Sequence, residues 1–208
     1  MQLIVSGTGT GVGKTVVSCA LARALAKRGS TKGIKPYETG VDDRAHDAEM
    51  LAEAAGQPCV HPYFRAAAPL APAAFDEVPS IASIADQIRD EVAGVKHAII
   101  ESAGGLFVPI APRRLFADLA AQLGLPIVLV TYDGLGTLSH TLATLEAART
   151  HSLPIMALVL NQGLPADPSR EFNHRLLSEH CDLPIVTVSH ESDGKIDASA
   201  EEILALVD

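Results

Sequence analysis

Gly7-Thr8-Gly9-Thr10-Gly11-Val12-Gly13-Lys14-Thr15 joins the apolar run Leu3-Ile4-Val5 to a helical pattern over Val16 to Leu25. Glycines in a strand-to-helix loop of this kind let successive backbone N–H groups turn inward on phosphate oxygens. The lysine supplies a mobile positive charge, and the threonine hydroxyl can ligate Mg²⁺. The helix that follows adds the positive end of its dipole. The loop reads as a nucleoside triphosphate site, with Gly11, Val12, Gly13, Lys14, Thr15 and Val16 around the phosphates. The usual spacing puts a glycine five positions before Gly13, where this chain has Thr8; the nearest is Gly7, so the loop is a stretched variant.

Other chemistry-bearing residues recur where apolar runs end. Lys35 follows Ile34, on the rim that carries the phosphate loop; there a lysine either stabilises anionic intermediates or is a solvated strand-end residue. Ile99-Ile100-Glu101-Ser102-Ala103-Gly104-Gly105 places a carboxylate at the end of a buried run, which is costly unless it meets a cation. In nucleotide-binding sheets that cation is normally the Mg²⁺ of the phosphate loop, so a metal role is favoured for Glu101, with an N-cap or a buried ion pair as the alternatives. Asp47, in the helix-start segment Arg44 to Glu49, is either a second hard-oxygen ligand or a capping carboxylate. Asp133 to His140 opens another helix with Thr137 as its cap, and its N–H groups either bind an anion or simply begin the helix. Asn161 is a turn residue or a base-reading amide. The eight histidines show no metal spacing, and no Gly-x-Ser-x-Gly elbow or Cys-His signature supports covalent hydrolysis.

The elements that must position these groups are an alternation of apolar runs and helices. The runs are Leu3–Val5, Thr31–Ile34, His97–Ile100, Ile127–Val130, Met156–Leu160 and Ile185–Val188. Helices are expected over Ala45–Ala55, Ile81–Val92, Phe116–Leu123, Leu138–Thr150, Arg170–His180 and Ala198–Val207. Runs too apolar for a half-exposed strand imply a mostly parallel sheet with helices on both faces, the doubly wound α/β class, with ligands at the strands' carboxyl ends. The 208 residues fit a single domain, 1–208. The proline- and alanine-rich connection from Pro58 to Pro79 is long enough to be functional or mobile.

A net charge of −9 and a pI near 5.3 provide no basic stripe for nucleic acid. No run approaches the roughly 20 apolar residues of a membrane helix, and the chain enters its first strand without a signal peptide, so a cytoplasmic location is expected. Cys19, Cys59 and Cys181 form neither a disulfide framework nor a zinc pattern.

In order, the Gly7–Thr15 loop, Lys35-Pro36-Tyr37-Glu38-Thr39-Gly40, Asp47, Glu101-Ser102-Ala103-Gly104-Gly105 and Asn161 resemble dethiobiotin synthetase across the whole chain. The resemblance implies an ATP-dependent ligase that joins CO₂ to 7,8-diaminopelargonate, phosphorylates the carbamate, and closes a cyclic urea in biotin biosynthesis. It implies ATP as co-substrate, with Lys14 and the loop amides on the triphosphate, and Mg²⁺ on Thr15, Asp47 and Glu101. Lys35 would stabilise the carbamate, and Asn161 would contact the nucleotide. It further implies a homodimer, with Thr39 on the substrate and Gly136, Thr137, Leu138 and Ser139 receiving its carboxylate from the neighbouring subunit. Gly11, Ser102 and Val188-Ser189-His190 depart from many members, leaving the choice among ATP, CTP and GTP open. A partitioning-type ATPase shares the loop, but its signature lysine is absent from Thr8, Gly9 and Thr10. A small-molecule kinase would draw lid charges from Arg113 and Arg114. A cobalamin-type amidoligase would need a further glutamine-hydrolysing domain.

Overall fold

The computed structural model describes residues 1–41, 46–58, 61–163, 167–189 and 197–207. The elements run β1 (Gln2–Gly7), α1 (Lys14–Ala26), β2 (Thr31–Ile34), β3 (Tyr37–Thr39), α2 (His46–Ala54), β4 (Phe64–Ala66), a 3₁₀ turn (Pro72–Ala74), α3 (Ile81–Val92) and β5 (His97–Glu101). They continue with β6 (Pro109–Ala111), β7 (Arg114–Leu115), α4 (Phe116–Leu123), β8 (Ile127–Tyr132), α5 (Thr137–Thr150), β9 (Ile155–Gln162), α6 (Arg170–Ser178), β10 (Ile185–Ser189) and α7 (Asp197–Val207).

The six apolar runs all become strands of one six-stranded sheet, ordered β10-β9-β8-β1-β5-β2, and every pairing in it is parallel. Alternation along each strand divides the core in two. Leu3, Val5, Ile99, Val128, Val130 and Val159 pack with α1 and α7 on one face. Ile4, Ala98, Ile100 and Ile127 pack with α3 and α4 on the other, where Leu129, Leu158 and Leu160 meet α6. With both faces covered, the strands have no polar side to show in their sequence, which is why they read as continuous apolar runs.

Because all six strands point the same way, their carboxyl ends share one edge. β1 at the centre pairs Val5 with Glu101 and Gly7 with Val130, so the β5 and β8 loops flank the loop that follows Gly7. Small additions decorate that edge: β3 pairs in parallel with β4, and β6 with β7 antiparallel. These were not visible as periodic runs, being two or three residues long. Among the described residues no helix is long and apolar enough to cross a membrane. Ala45 at one expected helix start, and Cys59, lie outside the described residues.

Candidate active site

The loop after β1 is built by close approaches at two glycines. Gly13, the N-cap of α1, has φ 95°, and a Cβ there would lie 2.0 Å from Asn161 Nδ2. Gly105 brings the β5 turn against the backbone of Gly7 and Gly9, where a Cβ would meet atoms at 3.2 Å, and Leu106 N–H donates to the Gly7 carbonyl. At its N-cap, Gly13, α1 has no side-chain cap, an arrangement suited to binding an anion on its first N–H groups. Lys14 folds back over the loop and donates to the Gly9 carbonyl at 3.0 Å. Burial, reinforced by the charge of Lys35, lowers the Lys14 ammonium to about 8.

Three segments converge beside it. Lys35, only 6% exposed and just past β2, donates to Asp47 Oδ2 at 2.9 Å and to Glu101 Oε1 at 2.5 Å. Thr15 Oγ1 donates to the same Glu101 oxygen at 2.9 Å. Burial alone would strip charge from Lys35, but Glu101 and Asp47 outweigh it and hold the ammonium above the usual lysine range. Burial likewise opposes ionisation of Asp47, and Lys35 overrides it, so that carboxyl sits below its ordinary value. Glu101 is wholly buried, and its Oε2 has no hydrogen-bond partner among the described residues.

The expected phosphate and metal residues thus lie together. Gly11, Gly13, Lys14, Thr15, Val16, Lys35, Thr39 and Asp47 line one cavity of about 580 Å³. Val12 is packed into the core, and its carbonyl accepts from Asn161 Nδ2 at 3.0 Å. Asn161 therefore braces the loop, a contact that neither sequence alternative describes. Gly136 to Ser139 do not line this cavity. They sit on the β8 side of the loop, linked through hydroxyls: Thr8 to Thr131 at 3.0 Å and Thr131 to Thr137 at 2.8 Å. Thr137 is not the expected cap. Gly136, at φ 91°, holds that place, and the Thr137 side chain turns inward to Thr131 instead of to its own helix. Arg113 and Arg114 stay away from the cavity. Arg114 lines a separate groove between α3 and α4 and faces Asp118 at 3.7 Å. Val188 and Ser189 end β10, while His190 lies outside the described residues.

Two parts of the site had no role in the sequence reading. Pro69 to Pro72, from the long connection, form one wall, clamped where Gly40 N–H donates to Ala66 and Ala68 carbonyls. Tyr37 and Glu38 form another; their only signal was membership of the Lys35–Gly40 motif.

An AAA-domain family model matches residues 1–200. The ATP-dependent dethiobiotin synthetase of Anaeromyxobacter dehalogenans is 45% identical over 182 residues, covering 82% of this chain and 81% of the relative. The chain belongs to the dethiobiotin synthetase family. The dethiobiotin synthetase of Corynebacterium efficiens is 35% identical and spans 93% of this chain and 91% of its own. Among solved structures, a plasmid partition protein from Borrelia burgdorferi superposes with a TM-score of 0.65 over 98% of this chain and 96% of that one. At 13% identity this shows a shared P-loop sheet and nothing about activity.

Proposed function

We propose that this chain converts 7,8-diaminopelargonate, CO₂ and ATP to dethiobiotin, ADP and phosphate. The observation that carries the reading is the cluster of Lys35, Thr15, Asp47 and Glu101 against the phosphate loop of a chain 45% identical to a named dethiobiotin synthetase. One substrate amine adds CO₂ and loses a proton, giving a carbamate. A carbamate oxygen takes the γ-phosphoryl group of ATP and releases ADP. The second amine then attacks the carbonyl carbon of the mixed anhydride, closes the urea ring and expels phosphate.

Phosphoryl transfer of this kind needs positioning and charge neutralisation rather than a covalent catalyst. Lys14 and the loop N–H groups hold the triphosphate, Lys35 stabilises the carbamate anion, and Thr39 contacts the substrate. Asn161 steadies the loop beneath the nucleotide. The residues fit Mg²⁺: a threonine hydroxyl, the Asp47 carboxylate and the unpartnered, buried Glu101 Oε2 are the hard oxygens it takes. Bound there, the metal would neutralise charge on the phosphates. The test is an assay of purified protein with diaminopelargonate, bicarbonate and Mg-ATP. Cyclic urea formed in step with ADP is expected, whereas ATP hydrolysis indifferent to the diamine would overturn the reading in favour of a nucleotide switch.

The active unit on this reading is a homodimer. Diaminopelargonate carries its carboxylate far from its amines, and the Gly136–Ser139 helix start lies outside this chain's own cavity, beside Leu135, which is 86% exposed. A second subunit would bring that helix start to the substrate carboxylate. A helix N-terminus contributes about 0.3–2 kcal/mol to binding an anion, so Leu138→Pro, which removes one donor, should raise the substrate KM by up to roughly thirtyfold. ATP affinity should stay near that of the wild type. A protein that sediments as a fully active monomer at assay concentration would rule this arrangement out.

A further inference from the structure

Glu38 is a buried acid in the cavity wall whose carboxylate is directed at a helix and not at the cavity's cations. In β3, it is 5% exposed. Its Oε1 accepts the backbone N–H of Asp47 at 2.7 Å, and its Oε2 accepts that of Ala48 at 3.2 Å. The first N–H groups of a helix have no partner within it, and they carry the positive end of its dipole. A carboxylate spanning two of them satisfies both needs from nine and ten residues upstream. Burial raises the Glu38 carboxyl above its ordinary range, and these two donors work against that rise.

The capped residue is the informative one. Asp47 has its backbone N–H on Glu38 and its side chain on Lys35 Nζ, 2.9 Å away. Lys35 in turn holds Glu101. Glu38 itself stands on a strand paired to β4, followed by Gly40 at φ 77° clamped to Ala66. The start of α2 is thereby tied to the β3–β4 pair by the Glu38 carboxylate and to the end of β2 by Lys35.

We infer that Glu38 is a positioning residue for the Thr15, Asp47 and Glu101 oxygens: it fixes α2 at Asp47 so that this carboxylate stays within reach of the cation. The inference deepens the proposed function and rests on its assignment of those oxygens to Mg²⁺. Partners that orient a metal-ligating group typically change metal affinity by about 10–100-fold when removed.

The experiment uses the full chain and the variants Glu38→Gln, which keeps one acceptor, and Glu38→Ala, which keeps none. In metal-free protein, hydrogen exchange at the start of α2 should accelerate, more in Glu38→Ala than in Glu38→Gln. Calorimetry of Mg²⁺ into the complex with a non-hydrolysable ATP analogue should show affinity lowered about tenfold or more. In turnover the loss should lie in the Mg²⁺ half-saturation, with nucleotide affinity in EDTA unchanged. Wild-type exchange at α2, or unaltered Mg²⁺ affinity with kcat lost at saturating Mg²⁺, would overturn the inference. A wild-type protein that binds no Mg²⁺ with nucleotide would overturn the metal assignment itself, and the exchange data distinguish that result from a missing cap.

Discussion

Lys35→Ala is expected to abolish product formation while sparing most nucleotide affinity, and Lys14→Ala to lose both. The two ammonium groups lie in one cavity but answer to different partners. Lys14 belongs to the loop, donates to the Gly9 carbonyl and lines the cavity beside α1, and on the proposed reading it is the cation for the triphosphate. Lys35 is held by Asp47 and Glu101, on the side of the cavity lined by Tyr37, Glu38 and Thr39. Truncating Lys35 also leaves Glu101, which is 0% exposed, without its cation. Removing one partner of a buried ion pair costs about 3–5 kcal/mol. Lys35→Ala should therefore be less stable in EDTA by that order, with part of the loss recovered on adding Mg²⁺, because the metal would replace the missing charge. Calorimetry with an ATP analogue and denaturation with and without Mg²⁺ check both halves. Equal loss of nucleotide affinity in the two variants would sink the division of labour.

Glu101→Gln should remove turnover without unfolding the protein. The substitution keeps the size and an acceptor for Thr15 and Lys35, whose bonds both end on Oε1. It loses the negative charge and the second oxygen, Oε2, which is buried without a hydrogen-bond partner among the described residues and which the proposed function assigns to Mg²⁺. A metal acting as a Lewis acid supplies several kcal/mol, and each 1.36 kcal/mol is tenfold in rate. The fall in kcat should be roughly two orders of magnitude or more, with Mg²⁺ affinity lowered alongside it. A Glu101→Gln enzyme with wild-type Mg²⁺ dependence would show that Glu101 serves only to neutralise Lys35.

The α/β class was legible because burial on both faces writes each strand as an unbroken apolar run, and all six runs became strands. The phosphate loop was legible because glycine, lysine and threonine at fixed spacing do local work between one strand and one helix. Lys35 and Glu101 were visible as charges ending apolar runs, an expensive placement that calls for a partner. Which partner is not a local property. Lys35 and Glu101 are 66 residues apart, and only the pairing of β2 with β5 beside β1 brings them together.

What tertiary structure alone decided has the same origin. Asp47 could be read as a cap or a ligand, and its side chain meets Lys35 while Glu38, on a different element, accepts its backbone N–H. Thr137 was expected to cap α5 from its local sequence, yet a hydroxyl on β8 turns it inward while Gly136 takes the left-handed turn. The aperiodic Pro58–Pro79 connection gave no signal of where it would lie, and backbone bonds to Gly40 place its Pro69–Pro72 stretch on the cavity wall. Residue types and short-range spacing determine which chemistry is possible here and which strands and helices carry it. Hydrogen bonds between segments distant in sequence decide which side chains meet, because the cost of an unpaired buried charge or N–H is met only by partners that the sheet order brings near.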